Sequence, residues 1–531
     1  MKNIFKSLMT ILCCSVLVFS CKKNEAPKNV MTADLTVISD VSAQNPADVS
    51  VTLTTNTNWI VTTPNWVTPS ATFGSGDAIL TFSFASNYKD ETTNTLTRSG
   101  EIKISGGGST TGQGVVVIIP VTQLGHTYVD PNPSLGGIPN AEEFATFIVA
   151  ANSGGSLVRW TDEDTGEIVL LDNIDLADAT INWQELADAT DVLNANNDCT
   201  INNLPFSGIF NGNDYKITGF NPTVQLAANK TFGLFTTISG AVIKNLELSG
   251  TMTVSASGQA DAGILVGTAL NSTISNVKVG GKLISAGNSE AKRLSLGGIF
   301  GFACAKEDLY TVIDKCTSDV KAEVDCGNNT ANGATCVMYG GIGGFATTPK
   351  AIGSFGVTIS DCINNGDMDV KAGRCSGILP TANSGTTITG CTNNGNQVNT
   401  IPNGRLANIV CNLSYNSKLV NCVNNGDIDA TVTDYNGTIA GVVALIGDDT
   451  ASIEGGGNYG TIKAVSSSGQ YIGLLGANFN KFTYVKDMVA SGRLIIDGVQ
   501  QDINATNFMD YVGRINSSYA SKVTGFVWVA P

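Results

Sequence analysis

The chain has 531 residues, enough for two or more domains, and only 14% of them are charged. Its formal net charge of −15, from 45 acidic and 30 basic residues, argues against a polyanionic partner such as nucleic acid, whose phosphates are held by clustered Lys and Arg. The 59 glycines, set among abundant Thr, Ser and Asn, point to short strands and close turns rather than long helices.

Residues 1–20 read as a leader. Lys2 and Lys6 give a basic start, Ile11 to Phe19 an apolar stretch too short to cross a bilayer, and Leu17-Val18-Phe19-Ser20-Cys21 closes it on small residues. This ending resembles a lipobox, which implies that Cys21 is the lipidation site and that residues 21–30 are a lipidated tether. Acyl chains on Cys21 would hold the protein to the outer membrane. The Lys-rich, weakly acidic residues after Cys21 loosely resemble the export signals of Bacteroidetes surface lipoproteins. That likeness implies display at the cell surface, with the periplasmic face as the alternative.

Residues 31–125 read as a β-sandwich. Leu35 to Ile38, Val49 to Leu53, Ile79 to Phe84, Glu101 to Ile104 and Val115 to Val121 alternate or are wholly apolar between Gly, Pro and Asn turns. Trp59 and Trp66, the later Asn87, Arg98 to Ile102 and Pro120-Val121-Thr122-Gln123 together resemble a BACON domain, an immunoglobulin-like module of secreted Bacteroidetes proteins. The resemblance implies either carbohydrate binding or a spacer role. Trp59 and Trp66 are the candidate carbohydrate-binding residues, since flat aromatic faces stack on sugar rings; filling the sandwich core is the competing reading. Residues 126–139, with prolines at 131, 133 and 139, read as a linker. His126, the single histidine, begins it with no Ser, Cys or acidic partner specified nearby.

A helix is expected at 140–152. Asn140 can cap it, Phe144, Phe147, Ile148 and Ala151 form one apolar stripe, and Gly154 ends it. A lone amphipathic helix before a repeat array is expected to cover the array's open first coil.

Residues 153–531 repeat. Cys362-Ile363-Asn364-Asn365-Gly366 returns as Cys391-Thr392-Asn393-Asn394-Gly395 and as Cys422-Val423-Asn424-Asn425-Gly426. A second mark, Gly followed by apolar residues, falls at Gly233, Gly263, Gly298, Gly341, Gly377, Gly441, Gly473 and Gly513, with Asn408 substituting once, about 35 residues apart. The period suits a parallel β-solenoid of some ten or eleven coils, about 4.8 Å apart. Gly233-Leu234-Phe235, Gly263 to Gly267 and Gly297 to Gly301 resemble GLUG-type repeats, which implies a right-handed β-helix. The fold class is therefore all-β: an N-terminal immunoglobulin-like β-sandwich followed by a parallel β-solenoid with a capping helix.

Of 13 cysteines, ten remain after Cys13, Cys14 and Cys21 are set aside. Cys316, Cys362, Cys391 and Cys422 share a repeat position filled earlier by Leu246 and Val277, so a ladder of buried thiols is expected in preference to disulfides. No Cys-x-x-Cys occurs, and no metal site or cofactor is expected. Asn365, Asn394 and Asn425, with the Asn before each, are expected to form side-chain ladders. The pairs Asp367/Asp369 and Asp427/Asp429 raise a calcium or glycosidase reading, yet the coil between them carries Asn396 and Gln397, so no catalytic residue is assigned. The expectation is a non-catalytic, lipid-anchored envelope protein acting as adhesin or glycan-binding protein, its partners glycans or host and cell-surface proteins. A spacer without its own small ligand is the alternative, and a β-helical polysaccharide lyase or hydrolase the lesser one.

Overall fold

The computed structural model describes residues 28–88, 94–107, 114–127, 133–189, 192–193, 200–201, 204–288, 292–306, 308–329, 331, 336–349, 356–401, 403–431, 437–466 and 471–531. The leader and Cys21, with the lipidation assigned to it, lie outside the described residues. The chain divides into two compact units, Met1–Pro131 and Asn132–Pro531, the division falling inside the expected linker.

The first unit is a sandwich. A four-stranded sheet of Met31–Ala33, Val49–Thr55, Ala78–Phe84 and Val67–Pro69 shares one core with a five-stranded sheet of Ile38–Val41, Val115–Gln123, Arg98–Gly106, Asn58–Thr62 and Phe73–Ser75. Period-2 alternation explains the faces: Val51, Leu53 and Thr55 are buried while Ser50, Thr52 and Thr54 are exposed. The expected strand Leu35 to Ile38 proves to be mostly a crossover. Met31–Ala33 pairs with Val49–Thr55 in one sheet, and Ile38–Val41 pairs with Val115–Gln123 in the other.

The second unit is a parallel β-solenoid of one 27-stranded, one nine-stranded and one eight-stranded sheet. The coil that starts at Arg374 shows the plan: Arg374–Ser376, a bend at Gly377-Ile378, Leu379–Ala382, then Thr386–Thr389, Thr392–Asn393 and Gln397–Asn399. Like residues stack on like, as Asn364, Asn393 and Asn424 do in successive coils. Apolar side chains from all three sheets merge into a single continuous core.

The first coil is covered as expected. Helix Ala141–Ser153 is capped by Asn140, whose side chain accepts from Glu143 N–H, and closed by Gly154 at φ 71°. Phe147 stacks on Phe210, and Phe144 packs edge-on to the same ring. Asn152, buried at the helix end, donates to Leu234 O (2.9 Å) and accepts from Thr236 N–H (2.8 Å), so one side chain satisfies the edge of the nine-stranded sheet. A second, unanticipated helix, Trp183–Ala189, covers the large sheet in the same way: Gln184 donates to Gln225 O (3.0 Å) and accepts from Gln225 N–H (2.8 Å). The expected linker is shorter than drawn, because Ile138 is buried in the solenoid core and bridges Leu170.

Candidate functional site

The Cys-x-Asn-Asn-Gly motif is structural at each residue. Cys316, Cys362, Cys391 and Cys422 are buried free thiols, each donating to a carbonyl of the preceding coil at 3.6–3.7 Å. Cys326, Cys336, Cys375 and Cys411 are also buried and free. Burial pushes the Cys326 thiol up to about 11 and Cys411 up to about 12, so both are protonated and inert at neutral pH. Cys304 departs from the thiol expectation, being disulfide-bonded. The first Asn of each motif builds an interior ladder, Asn364 to Asn393 (2.7 Å), Asn393 to Asn424 (2.9 Å) and Asn424 to Asn458 (2.7 Å). The second builds an exposed one, Asn394 to Asn365 (2.8 Å) and Asn425 to Asn394 (2.9 Å). Left-handed backbone falls elsewhere than on these Asn residues, at the position just before the Cys: Asp361 (φ 50°), Gly390 (φ 63°) and Asn421 (φ 51°).

The two candidate tryptophans sit in the sandwich. Trp59 is 4% exposed, its ring lies over Gly74, and its Nε1–H donates to Gly76 O at 3.0 Å. That placement corrects the carbohydrate-binding assignment for Trp59, because a buried ring offers no face to a sugar. Trp66 is half-buried, with the Arg98 guanidinium 4.6 Å above its ring and Phe84 beside it. Arg98 Nε in turn donates to Gln123 Oε1 (2.9 Å), whose amide donates to Ser42 O and Ala85 O. Trp66, Arg98 and Gln123 thus form one internal knot. Among the exposed apolar residues of this unit, Phe73 (76%) and Ile60 (63%) are adjacent on the outer face of the five-stranded sheet. Sequence pattern could not choose that face, since Trp59 and Ile60 alternate in one strand.

The Asp pairs serve the surface. Asp367 accepts from Asn396 N–H (2.9 Å) and Asp427 from Thr461 N–H (2.7 Å), extending a ladder across coils. Asp429 lies 3.6 Å from Lys463. Asp369 lines an open depression of about 350 Å³ with Glu323, Asp325 and Lys371, in which Lys371 pairs with Asp325 at 3.5 Å. The exposed tyrosines do not align: Tyr310 registers with Gly356, Tyr459 follows the interior ladder residue Asn458, and Tyr415 is in a turn.

A more distinctive feature is a crease, buried along most of its length, where the eight- and nine-stranded sheets meet at the Gly-apolar bends. One wall carries Asp261, Ser295, Met338, Arg374, Arg405, Thr438 and Tyr471 in register. The facing wall carries Thr268, Phe302, Phe345, Thr381, Asn412, Leu445 and Asn478. Early in the array, Phe302, Phe345 and Met338 fill the crease. Later its floor is small, built from Ala407, Cys411, Ala440, Ala444 and Ala477, with Tyr471 packed against it. Sequence reading missed these residues, because outward positions become neighbours only through the register of separate coils.

No protein-family model matches the chain, and no curated protein matches it. Among solved structures it is similar to a candidate immunoglobulin A1 protease of Bacteroides ovatus, at 16% identity over 76% of this chain and 85% of that one, with a TM-score of 0.36. A structure described as an IgA1 protease is similar at 13% identity over 83% of this chain and 26% of that one, again with a TM-score of 0.36. A Bacteroides ovatus GH5 xyloglucanase in complex with a XXXG heptasaccharide reaches 14% identity over 36% of this chain and 46% of that one, with a TM-score of 0.15. Likenesses this distant carry no argument about function.

Proposed function

We propose that this is a non-catalytic, lipid-anchored cell-envelope protein, displayed at the surface, that binds an extended glycan along the outer crease of its solenoid. The reading is supported by half-buried Arg405, Thr438 and Tyr471, which stand in register at the lip of the crease, one residue per coil. A row of polar groups repeating once per coil suits an elongated ligand with hydroxyls to satisfy along its length. The sandwich, read as a BACON-like module, then acts as a spacer. A scaffold role is the second reading, favoured by outer Asn and Lys–Asp ladders whose groups already satisfy one another.

The test is retention of the full-length chain, purified in detergent, on an array of host and dietary polysaccharides, with reducing ends assayed in the same wells. Retention without new reducing ends supports the proposal. Absence of retention favours the scaffold, and release of reducing ends overturns the non-catalytic reading.

A further inference from the structure

The two outer faces of the sandwich differ in kind. On the four-stranded sheet Thr32, Ser50, Thr52, Thr54 and Ser83 point outward, and Ile79 is the one exposed large apolar side chain among the described residues. On the five-stranded sheet, register sets Phe73, Ile60, Ser105 and Val116 in one row across four strands, and Thr62, Lys103 and Ile118 in the next. Phe73 is 76% exposed, Ile60 63%, Val116 51% and Ile118 48%. Apolar side chains scattered singly over a surface are ordinary, but four gathered on one sheet face mark a contact surface. The following rows carry Glu101 with Pro120 and then Ser99 with Thr122, so the face turns polar away from the patch.

The chain that precedes the sandwich arrives at the patch end of this sheet. Val30 N–H donates to Asn56 Oδ1 (2.8 Å), Val30 O accepts from Thr55 Oγ1 (2.6 Å), and Lys28 O accepts from the Asn56 side-chain amide (3.1 Å). Asn56 stands two residues before the strand Asn58–Thr62, which carries Ile60. Lys28 follows Cys21 by only seven residues, a span of about 25 Å at full extension. A lipid on Cys21 would therefore hold the patch end of the sandwich close to the bilayer, where even a weak surface contact is made repeatedly. A soluble partner gives no reason for the patch to sit at the tethered end; a bilayer does. Charge agrees, since exposed Lys103 stands in the second row of the patch and Lys22, Lys23 and Lys28 lie along the tether, with Glu25 the one acidic residue among them. Such cations suit anionic headgroups, and a lysine stem covers apolar surface while its ammonium reaches the polar layer.

We propose that this face of the five-stranded sheet is a membrane-docking surface, in which Phe73, Ile60, Val116 and Ile118 enter the boundary between headgroups and acyl chains and Lys103 meets the headgroups. The proposal goes beyond the glycan reading of the solenoid and rests on the lipid anchor at Cys21.

The test places an environment-sensitive fluorophore on the acylated chain at Ser105→Cys, inside the patch, or at Ser50→Cys, on the opposite outer face. Buried native thiols are out of the label's reach. Each labelled protein is reconstituted into phosphatidylcholine–phosphatidylglycerol vesicles, with or without a lipid carrying a nitroxide near the top of one acyl chain. The Ser105→Cys probe is expected to shift to the blue and to be quenched by the nitroxide lipid at least about twofold more strongly than the Ser50→Cys probe. Ile60→Glu combined with Phe73→Glu should bring the two probes level, with melting temperature as the check that these exposed substitutions leave the fold intact. Equal quenching at the two positions, or a difference that survives the paired Glu substitutions, overturns the docking surface. A blue shift without nitroxide quenching means that protein, such as a second copy of the chain, covers the face, and overturns it too. Flotation with the vesicles is scored in the same samples: a chain that floats without the quenching difference overturns the docking surface alone, and one that fails to float overturns the lipid anchor as well.

Discussion

At the scale of single residues, the motif Cys-x-Asn-Asn-Gly divides its work by burial. Asn393 donates to Gly395 O and Asn424 Oδ1 and accepts from Asn364, all inside the core. Its neighbour Asn394 makes comparable amide bonds in water. Asn393→Ala leaves buried groups unpaired, at about 1–3 kcal/mol each, whereas Asn394→Ala is expected to cost less than about 1 kcal/mol. Urea unfolding of the two variants checks the contrast. Gly395 has a different reason to be Gly: a Cβ there would stand 2.0 Å from Gly366 O of the coil below. Gly395→Ala must push two coils apart, at about 1–3 kcal/mol by the same measurement. The eight buried free thiols among the described residues are expected to resist iodoacetamide at pH 8 in the native protein and to react once it is denatured, which mass spectrometry reads directly.

At the scale of elements, the solenoid begins under two helices that each lend a side-chain amide to a strand edge. Asn152→Ala removes three hydrogen bonds at once, to Leu234 O, Thr236 N–H and Thr236 Oγ1, and should lower the melting temperature more than Gln184→Ala at the half-buried second helix. Glu143 ties the first helix to the segment after it, accepting from Arg159 at 2.6 Å and from Trp160 Nε1 at 2.8 Å. These bonds, Arg159 foremost, hold its carboxyl below the ordinary range. A depressed folded-state value means that the stabilisation is complete above the ordinary glutamate value of about 4.3 and is lost as pH falls through the lower folded value. Glu143→Gln should therefore flatten that acid limb in a melting-temperature profile. The first helix was legible because its apolar stripe, Asn140 cap and terminal Gly154 agree. The second was not, because Trp183–Ala189 spans seven residues and is held by tertiary contacts of Trp183 with Phe220 and Phe232.

At the scale of the whole chain, repetition made the solenoid readable, since identical residues at a fixed period can be satisfied by stacking. The narrow core explains a pairing between the two repeat marks. A Cβ on Gly341, Gly377 or Gly441 would meet Asn364, Asn393 or Asn458 of the same coil, at 2.0–2.3 Å. Interior Asn and bend Gly are thus two sides of one contact. The proposed binding surface was not readable for the opposite reason: Arg374, Arg405, Thr438 and Tyr471 belong to separate coils, and only register puts them on one wall. Trp59 attracted attention as a large aromatic, yet size is also what fills a sandwich core.

The central claim is that the crease is the binding surface. Thr438→Trp places an indole at its lip between Arg405 and Tyr471, its register partners in the adjacent coils. The decisive measurement is retention of this variant and of the unaltered chain on the polysaccharide array, with melting temperature as the check on folding. The account predicts that the unaltered chain is retained and that the equally stable variant is not; equal retention of the two would contradict it.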